Sequence, residues 1–294
     1  MNQKPEKMKN LAPFLVMLIF LWSCQTKPSA ENQSDPEPVT FSLSQLWTTD
    51  TIMKTPESVL YDPLREVLYV ANMNRDEEGD ETGFISKINT DGTVIDLHWV
   101  DGLNEPRGMG IHGDLLFATD NDRLIVVNLE TGELKKSIPV EGAVFLNDLS
   151  VAKDGTVYFS DSRAGKVQVY KDDEVIDWIP EIEGPNGLFD EGEEILVAGG
   201  GEVRLVNKET GKYDVLAEGI GVDGIEYTGI DDYYIVSEWK GVIHMIGNDT
   251  IQTLLDTEAE KKNTADIGFN LKKKVVYIPT FFDNRVVAYA LKME

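Results

Sequence analysis

The chain has 294 residues, 41% of them hydrophobic, and a formal net charge of -25. That length suits one large domain or two small ones, with enough apolar content for a core that needs no disulfide staples. The acidic balance excludes a nucleic-acid binder, since phosphate recognition needs a basic face, and leaves a self-repelling surface as the ordinary consequence.

In chain order, Lys4, Lys7 and Lys9 precede "LAPFLVMLIFLW", which is shorter than the about 20 residues a membrane helix needs. Residues 1–23 therefore read as a signal peptide, outside the fold. The segment ends in Leu21-Trp22-Ser23-Cys24, which resembles a bacterial lipobox, although Trp22 is bulkier than that motif usually holds. The resemblance implies that Cys24 is lipidated and becomes the mature N-terminus; a plain signal peptide is the other reading. Cys24 is the only cysteine, so no intramolecular disulfide forms. Residues 24–40 are rich in Pro, Ser, Gln and Glu and read as a disordered tether. Gln25 after the cysteine resembles the outer-membrane sorting choice of lipoproteins. The expected location is the cell envelope, on the periplasmic or surface side of the outer membrane, with the lipid as the only membrane contact.

Residues 41–294 have almost no helical periodicity. Short alternating segments dominate, among them "EVLYVAN", "DLLFATD", "TVYFSDS", "EILVAGG", "YYIVSEW" and "KVVYIPT", each followed by a polar turn and another strand. Six units align on "ESVLYDP", "RGMGIHG", "NDLSVAK", "NGLFDEG", "DGIEYTG" and "DIGFNLK". Their spacing is about forty residues, the period of a four-stranded propeller blade. The last unit is one strand short, while "FSLSQLW" precedes the first unit with no blade of its own. The expected fold is all-β: a six-bladed β-propeller of four-stranded antiparallel blades, with the N-terminal strand completing the last blade and removing two open edges. "AGGGEV" reads as a turn between blade strands, "NRDEEGDETG" as a solvated loop, and Tyr233 and Trp239 as blade packing, with pocket lining the other reading of the two aromatics.

In such a ring the start of each inner strand faces one mouth of the central channel. Here those positions are Glu57, Arg107, Asn147, Asn186, Asp223 and Asp266. Converging carboxylates would repel or protonate, and a bound cation relieves the conflict. Oxygen ligands favour a hard ion, Ca²⁺ first, with Mg²⁺, Mn²⁺ and Zn²⁺ behind it. His98, His112 and His244 do not fall at the aligned position. Turn chemistry is the competing account of Asn147-Asp148, Asn186-Gly187 and Asp223-Gly224. Glu57 has no such account; Arg107 reads as a neutraliser of the cluster and Asp266 as a capping residue.

"PESVLYDP", "FLNDLSVAKDGTVYFSDS", "GPNGLF" and "GVDGIEY" resemble the senescence-marker-protein (regucalcin) and gluconolactonase family, over about residues 51–290. The resemblance implies a cation held by Glu57, Asn186 and Asp223, with Asn147 beside metal and substrate. It implies hydrolysis of a lactone or ester whose carbonyl the cation polarises, with Asp223 as general base. Two departures matter. Phe145 stands where sugar-lactone enzymes of the family often carry Arg, which, with Met109, implies a more apolar pocket; Arg107 is then a possible substrate contact. "EPRGMGI" looks like an NHL-type propeller, so a non-catalytic ligand- or protein-binding propeller with a structural cation is the alternative. An enzyme of other chemistry on the same channel, such as a streptogramin-type lyase or a phosphotriesterase, is the third reading. A monomer is expected, and a protein partner is left open.

Overall fold

The computed structural model describes residues 39–294; the signal peptide, Cys24 and nearly all of the tether lie outside them. Six four-stranded antiparallel sheets make up the fold. Their inner strands are Pro56–Asp62, Pro106–His112, Leu146–Val151, Leu188–Asp190, Val222–Ile230 and Gly268–Asn270. Five blades run from inner to outer strand in chain order, and the sixth takes Phe41–Thr48 as its outer strand against Arg285–Met293. This is the six-bladed propeller and the closure that the repeat predicts. A 3₁₀ turn at Phe281–Asp283 is the one helical element among the described residues, and none there is long and apolar enough to cross a membrane.

Burial follows position in the blade. The second strand of the first blade, VLYVAN, is buried throughout, because both its faces meet neighbouring blades. The outer strand of the second blade, LKKSIP, is exposed at nearly every residue. The core therefore lies in layers between adjacent blades. Tyr69 and Ala71 of the first blade pack with Leu116, Ala118 and Ile125 of the second. The ring closes in the same way, with Val59 and Leu68 against Tyr277 and Val286. Phe41 adds a further tie: its ring meets Tyr233 of the fifth blade edge-on at 4.9 Å. Tyr233 thus serves blade packing, as its sequence context suggests.

Gly200 and Gly201 form the two-residue turn between Glu194–Gly199 and Glu202–Asn207. Their φ angles of 63° and 78° are the left-handed pair that a tight hairpin of this twist demands. "AGGGEV" is accordingly a blade turn.

Candidate functional site

Hydrogen bonds from backbone N–H groups to side-chain oxygens fix the loops that lead into the inner strands. The last residue of a blade's second strand often accepts an N–H from the loop that precedes its inner strand. Asn72 takes Lys54 N at 2.9 Å, Asp120 takes Glu105 N at 2.8 Å, and Glu238 takes Gly221 N at 3.1 Å. Asp161 takes both Val144 N and Phe145 N, at 2.8 and 3.0 Å. These acceptors sit directly behind Glu57, Arg107, Asn147 and Asp223 and satisfy backbone groups that the turn would otherwise leave bare.

Glu57, Arg107, Asn147, Asn186 and Asp223 line one cavity of about 270 Å³ at one mouth of the channel. Five of the six aligned positions are thus brought together from five blades. The turn account does not hold for Asn147-Asp148 and Asp223-Gly224, which lie within strands; Asn186-Gly187 lies in the segment that leads into its strand. Gly187 and Gly224 instead permit close approach between blades. A Cβ on Gly187 would lie 2.2 Å from Asp223 O, and one on Gly224 2.3 Å from Asp266 Oδ1.

Asp266 departs from the aligned set. Gly108 packs on Asp148 as Gly224 packs on Asp266, an added Cβ meeting the carboxylate oxygens at 2.5 and 2.3 Å. Asp266 therefore stands level with Asp148, one residue beyond the aligned position, which in the sixth blade is the buried Ala265. Asp148 and Asp266 both face the other end of the channel. The Asp148 carboxylate accepts Leu149 N and, across blades, Leu188 N, both at 2.7 Å, while the Asp266 backbone accepts Val59 N at 3.1 Å and donates to Glu57 O at 2.9 Å.

At the first mouth the polar network is specific. Asn186 Nδ2 donates to Asp223 Oδ1 at 2.7 Å. Asn147 Nδ2 donates to Ser162 Oγ at 3.0 Å, and Ser162 Oγ donates to Pro185 O at 2.6 Å. Arg107 is 1% exposed; its guanidinium donates to Leu146 O at 3.0 Å and pairs with Glu105. Three buried atoms of this set have no partner: Glu57 Oε2, Asn186 Oδ1 and Arg107 Nε.

Burial dominates the electrostatics. It raises the Glu57 carboxyl well above the usual range, with the charge of Asp223 adding to it and that of Arg107 opposing. It raises Asp223 to about 6 against the bond from Asn186. It lowers the Arg107 guanidinium, which Glu57 and Glu105 counteract. Taking charge out of water without full compensation favours the neutral form of acid and base alike.

The expected apolar pocket is not found. Phe145 does line the cavity, but the guanidinium groups of Arg107 and Arg163 lie against its ring, 4.0 and 4.4 Å from the centroid. Met109 lies elsewhere, in the layer between the first and second blades and on the wall of the opposite cavity. Met73, Arg75, Arg163, Trp239 and Phe281 complete the first mouth. All five follow the second strand of their blades, in loops that share this mouth with the inner-strand starts. Arg75 comes from the acidic loop read as solvated, and Trp239, read as blade packing, is 46% exposed beside Phe281.

Known structures share this architecture. A propeller in a nidogen/laminin complex superposes with a TM-score of 0.60 at 18% identity, covering 73% of this chain and 84% of that one. A catalytically inactive histidine-to-alanine variant of virginiamycin B lyase from Staphylococcus aureus, with quinupristin, gives 0.58 at 11% identity, covering 86% and 99%. These likenesses concern the fold alone. No protein-family model matches the chain, and no curated protein matches it.

Among the described residues no three His, Cys, Asp or Glu side chains are grouped to hold a metal ion. The set at the first mouth is of another kind, two carboxylates (Glu57 and Asp223) with two amides (Asn147 and Asn186).

Proposed function

We propose that the propeller is a divalent-cation-dependent hydrolase of lactones or related esters, acting at the mouth lined by Glu57, Asn147, Asn186 and Asp223. One observation carries the reading: Glu57 Oε2 and Asn186 Oδ1 are buried and bare beside the Asp223 carboxylate. Bare oxygens of this kind are the donors that a hard ion such as Ca²⁺ takes. Glu57, Asn186 and Asp223 would hold the ion, with Asn147 adjoining it. When bound, the ion would polarise the substrate carbonyl and stabilise the charge that develops on its oxygen.

The chain's own groups supply the rest. Asp223 would remove a proton from the attacking water; the bound cation would hold its carboxylate ionised, so it would act as a weak base helped by its position. Arg107 is held by Leu146 O and Glu105, so its free Nε has a fixed position from which to meet a substrate oxygen. Arg163, stacked on Phe145, extends that surface and favours a substrate with an anionic group.

The same gathering of Arg75, Arg107 and Arg163 favours a second reading, a non-catalytic propeller that binds an anionic ligand. Lyase chemistry has less support. The lyase relative is inactive without a histidine, and His98, His112 and His244 are not among the side chains lining this mouth. The envelope location is part of the proposal, with Cys24 as the lipid anchor; labelling with a fatty-acid analogue, lost in Cys24→Ala, tests it.

The activity test takes the full chain with Ca²⁺, Mg²⁺ or Mn²⁺ on a panel of lactones and aryl esters, beside Glu57→Ala and Asp223→Ala. Cation-dependent turnover lost in both variants is the expected result. Absence of cation-dependent turnover on every substrate, with saturable binding of carboxylate ligands at this mouth, replaces the hydrolase with the binding propeller.

A further inference from the structure

The channel has a second mouth. The inner strands and the residues leading into them reach the site above from five blades, and residues further along all six line a cavity of about 740 Å³ at the other end. That volume is in the range of small-molecule sites. Aliphatic side chains such as Ile111 and Val151 make up much of the wall, and the rings of Tyr61, Phe189 and Phe269 join them. Into this apolar enclosure face Asp148, Asp266 and Glu226, while Glu66 and Lys272 stand exposed at the rim.

No basic side chain is set against these three carboxyls. The charges that act on Asp148, Asp266 and Glu226 are those of other acids, and the groups that oppose them are hydrogen-bond donors. Ser58 Oγ, 1% exposed on the same wall, lies beside Asp266 and has no other partner. Asn270 Nδ2 is an unpartnered donor on this wall, and an enclosure of three acid groups and three aromatic rings around it has the larger need for a positive component.

We infer that this second cavity binds an organic cation, an amine or quaternary ammonium group carried on an apolar body. Aromatic faces and carboxylates both attract an ammonium group, and the attraction grows where water is excluded. A bare metal ion would use the oxygens but leave the apolar wall and most of the volume unfilled. An anion would meet only Lys272, at the rim. The inference stands independently of the hydrolase proposal, which concerns the opposite mouth.

Calorimetric titration of the full chain with phenethyltrimethylammonium, 2-phenylethanol and 3-phenylpropanoate tests it. The cation should bind saturably, and the alcohol and the carboxylate should not. Glu226→Gln and Phe269→Leu should each weaken the cation about tenfold, which is about 1.4 kcal/mol. Asn186→Ala, at the first mouth, should leave it unchanged. Glu226→Gln keeps the side-chain shape and replaces a buried carboxyl with a neutral amide, so it should fold; far-UV circular dichroism checks this. Absent cation binding, equal binding of the alcohol, or full affinity in a folded Glu226→Gln would each overturn the inference. Loss in Asn186→Ala with retention in Glu226→Gln would overturn it too, by moving the cation to the first mouth.

Discussion

Asn186 Nδ2 and Asp223 Oδ1 meet at 2.7 Å across the joint between the fourth and fifth blades. The bond stabilises the ionised form of Asp223 and leaves Asn186 Oδ1 buried without a partner. If the pair is half of a cation site, Ca²⁺ at one hundred times its Kd should stabilise the fold by about 2.7 kcal/mol. Asn186→Ala and Asp223→Asn should both abolish that gain. Asp223→Asn should also lower any cation-dependent turnover by about 10²-fold to 10⁴-fold, the range for loss of a general base. Thermal melts with and without Ca²⁺ measure the first effect and initial rates the second. An undiminished Ca²⁺ shift in Asn186→Ala would remove that residue from the site.

The glycines after Asn186 and Asp223 should prove as restrictive as the functional residues themselves. A Cβ at position 187 would come within 2.2 Å of Asp223 O, and one at 224 within 2.6 Å of Ile267 N. Backbone atoms cannot move aside as a side chain can. Gly187→Ala and Gly224→Ala should each cost about 1–3 kcal/mol in urea unfolding, as overpacking does. Gly221 is a control on a neighbouring loop, where the nearest atom to an added Cβ is 3.8 Å away. Gly221→Ala should stay within about 0.5 kcal/mol of the parent.

These glycines also mark how far the sequence can be read. Alternation and a recurrent opening segment suffice for six blades and the shared outer strand, because strand period is local and an unpaired edge calls for a partner however far along the chain it lies. Glu57, Asn147, Asn186 and Asp223 are found at one mouth because each starts an inner strand. Asp266 is misplaced because matching acids to acids shifts the short sixth unit by one residue; matching second strands on their ends would have aligned Ala265 instead. Arg75, Arg163, Trp239 and Phe281 carry no motif, and only the rule that their loops share this mouth could have found them. The second cavity is hidden for another reason: its walls are Ile, Val, Leu and Phe on strands, which in a one-dimensional pattern look like any core.

Closure by the N-terminal strand makes Phe41 an anchor rather than an end residue. It is 4% exposed, packs on Tyr233, and exchanges backbone bonds with the Gln252 amide of the fifth blade at 3.0 and 2.8 Å. Phe41→Ala should cost about 3–5 kcal/mol, the range for a truncated buried phenylalanine. Deletion through Thr48 should go further, exposing the full edge of Arg285–Met293 and producing aggregation on size-exclusion chromatography. A monomeric, fully stable deletion variant would mean that the outer strand is dispensable.

The channel acids should make stability depend on pH in an unusual sense. Burial first, and the charge of Asp223 next, push Asp266 up to about 8, whereas an unfolded aspartate titrates near about 3.9. Between these values the folded chain holds a proton that the unfolded chain has released. The unfolded state then binds fewer protons, so stability falls as pH rises, by up to about 1.4 kcal/mol per unit for one proton, and levels off above about 8. Asp223, raised to about 6, adds in the same direction over the lower part of that window. Urea unfolding at intervals from pH 5 to pH 8, without divalent cations, should therefore give its highest free energy at the acid end. Asp266→Asn keeps the shape and removes the titration, so its profile should be flatter by about one proton's slope. A parent profile that rises toward pH 8, or an Asp266→Asn profile as steep as the parent's, would mean that Asp266 is ionised in the folded channel.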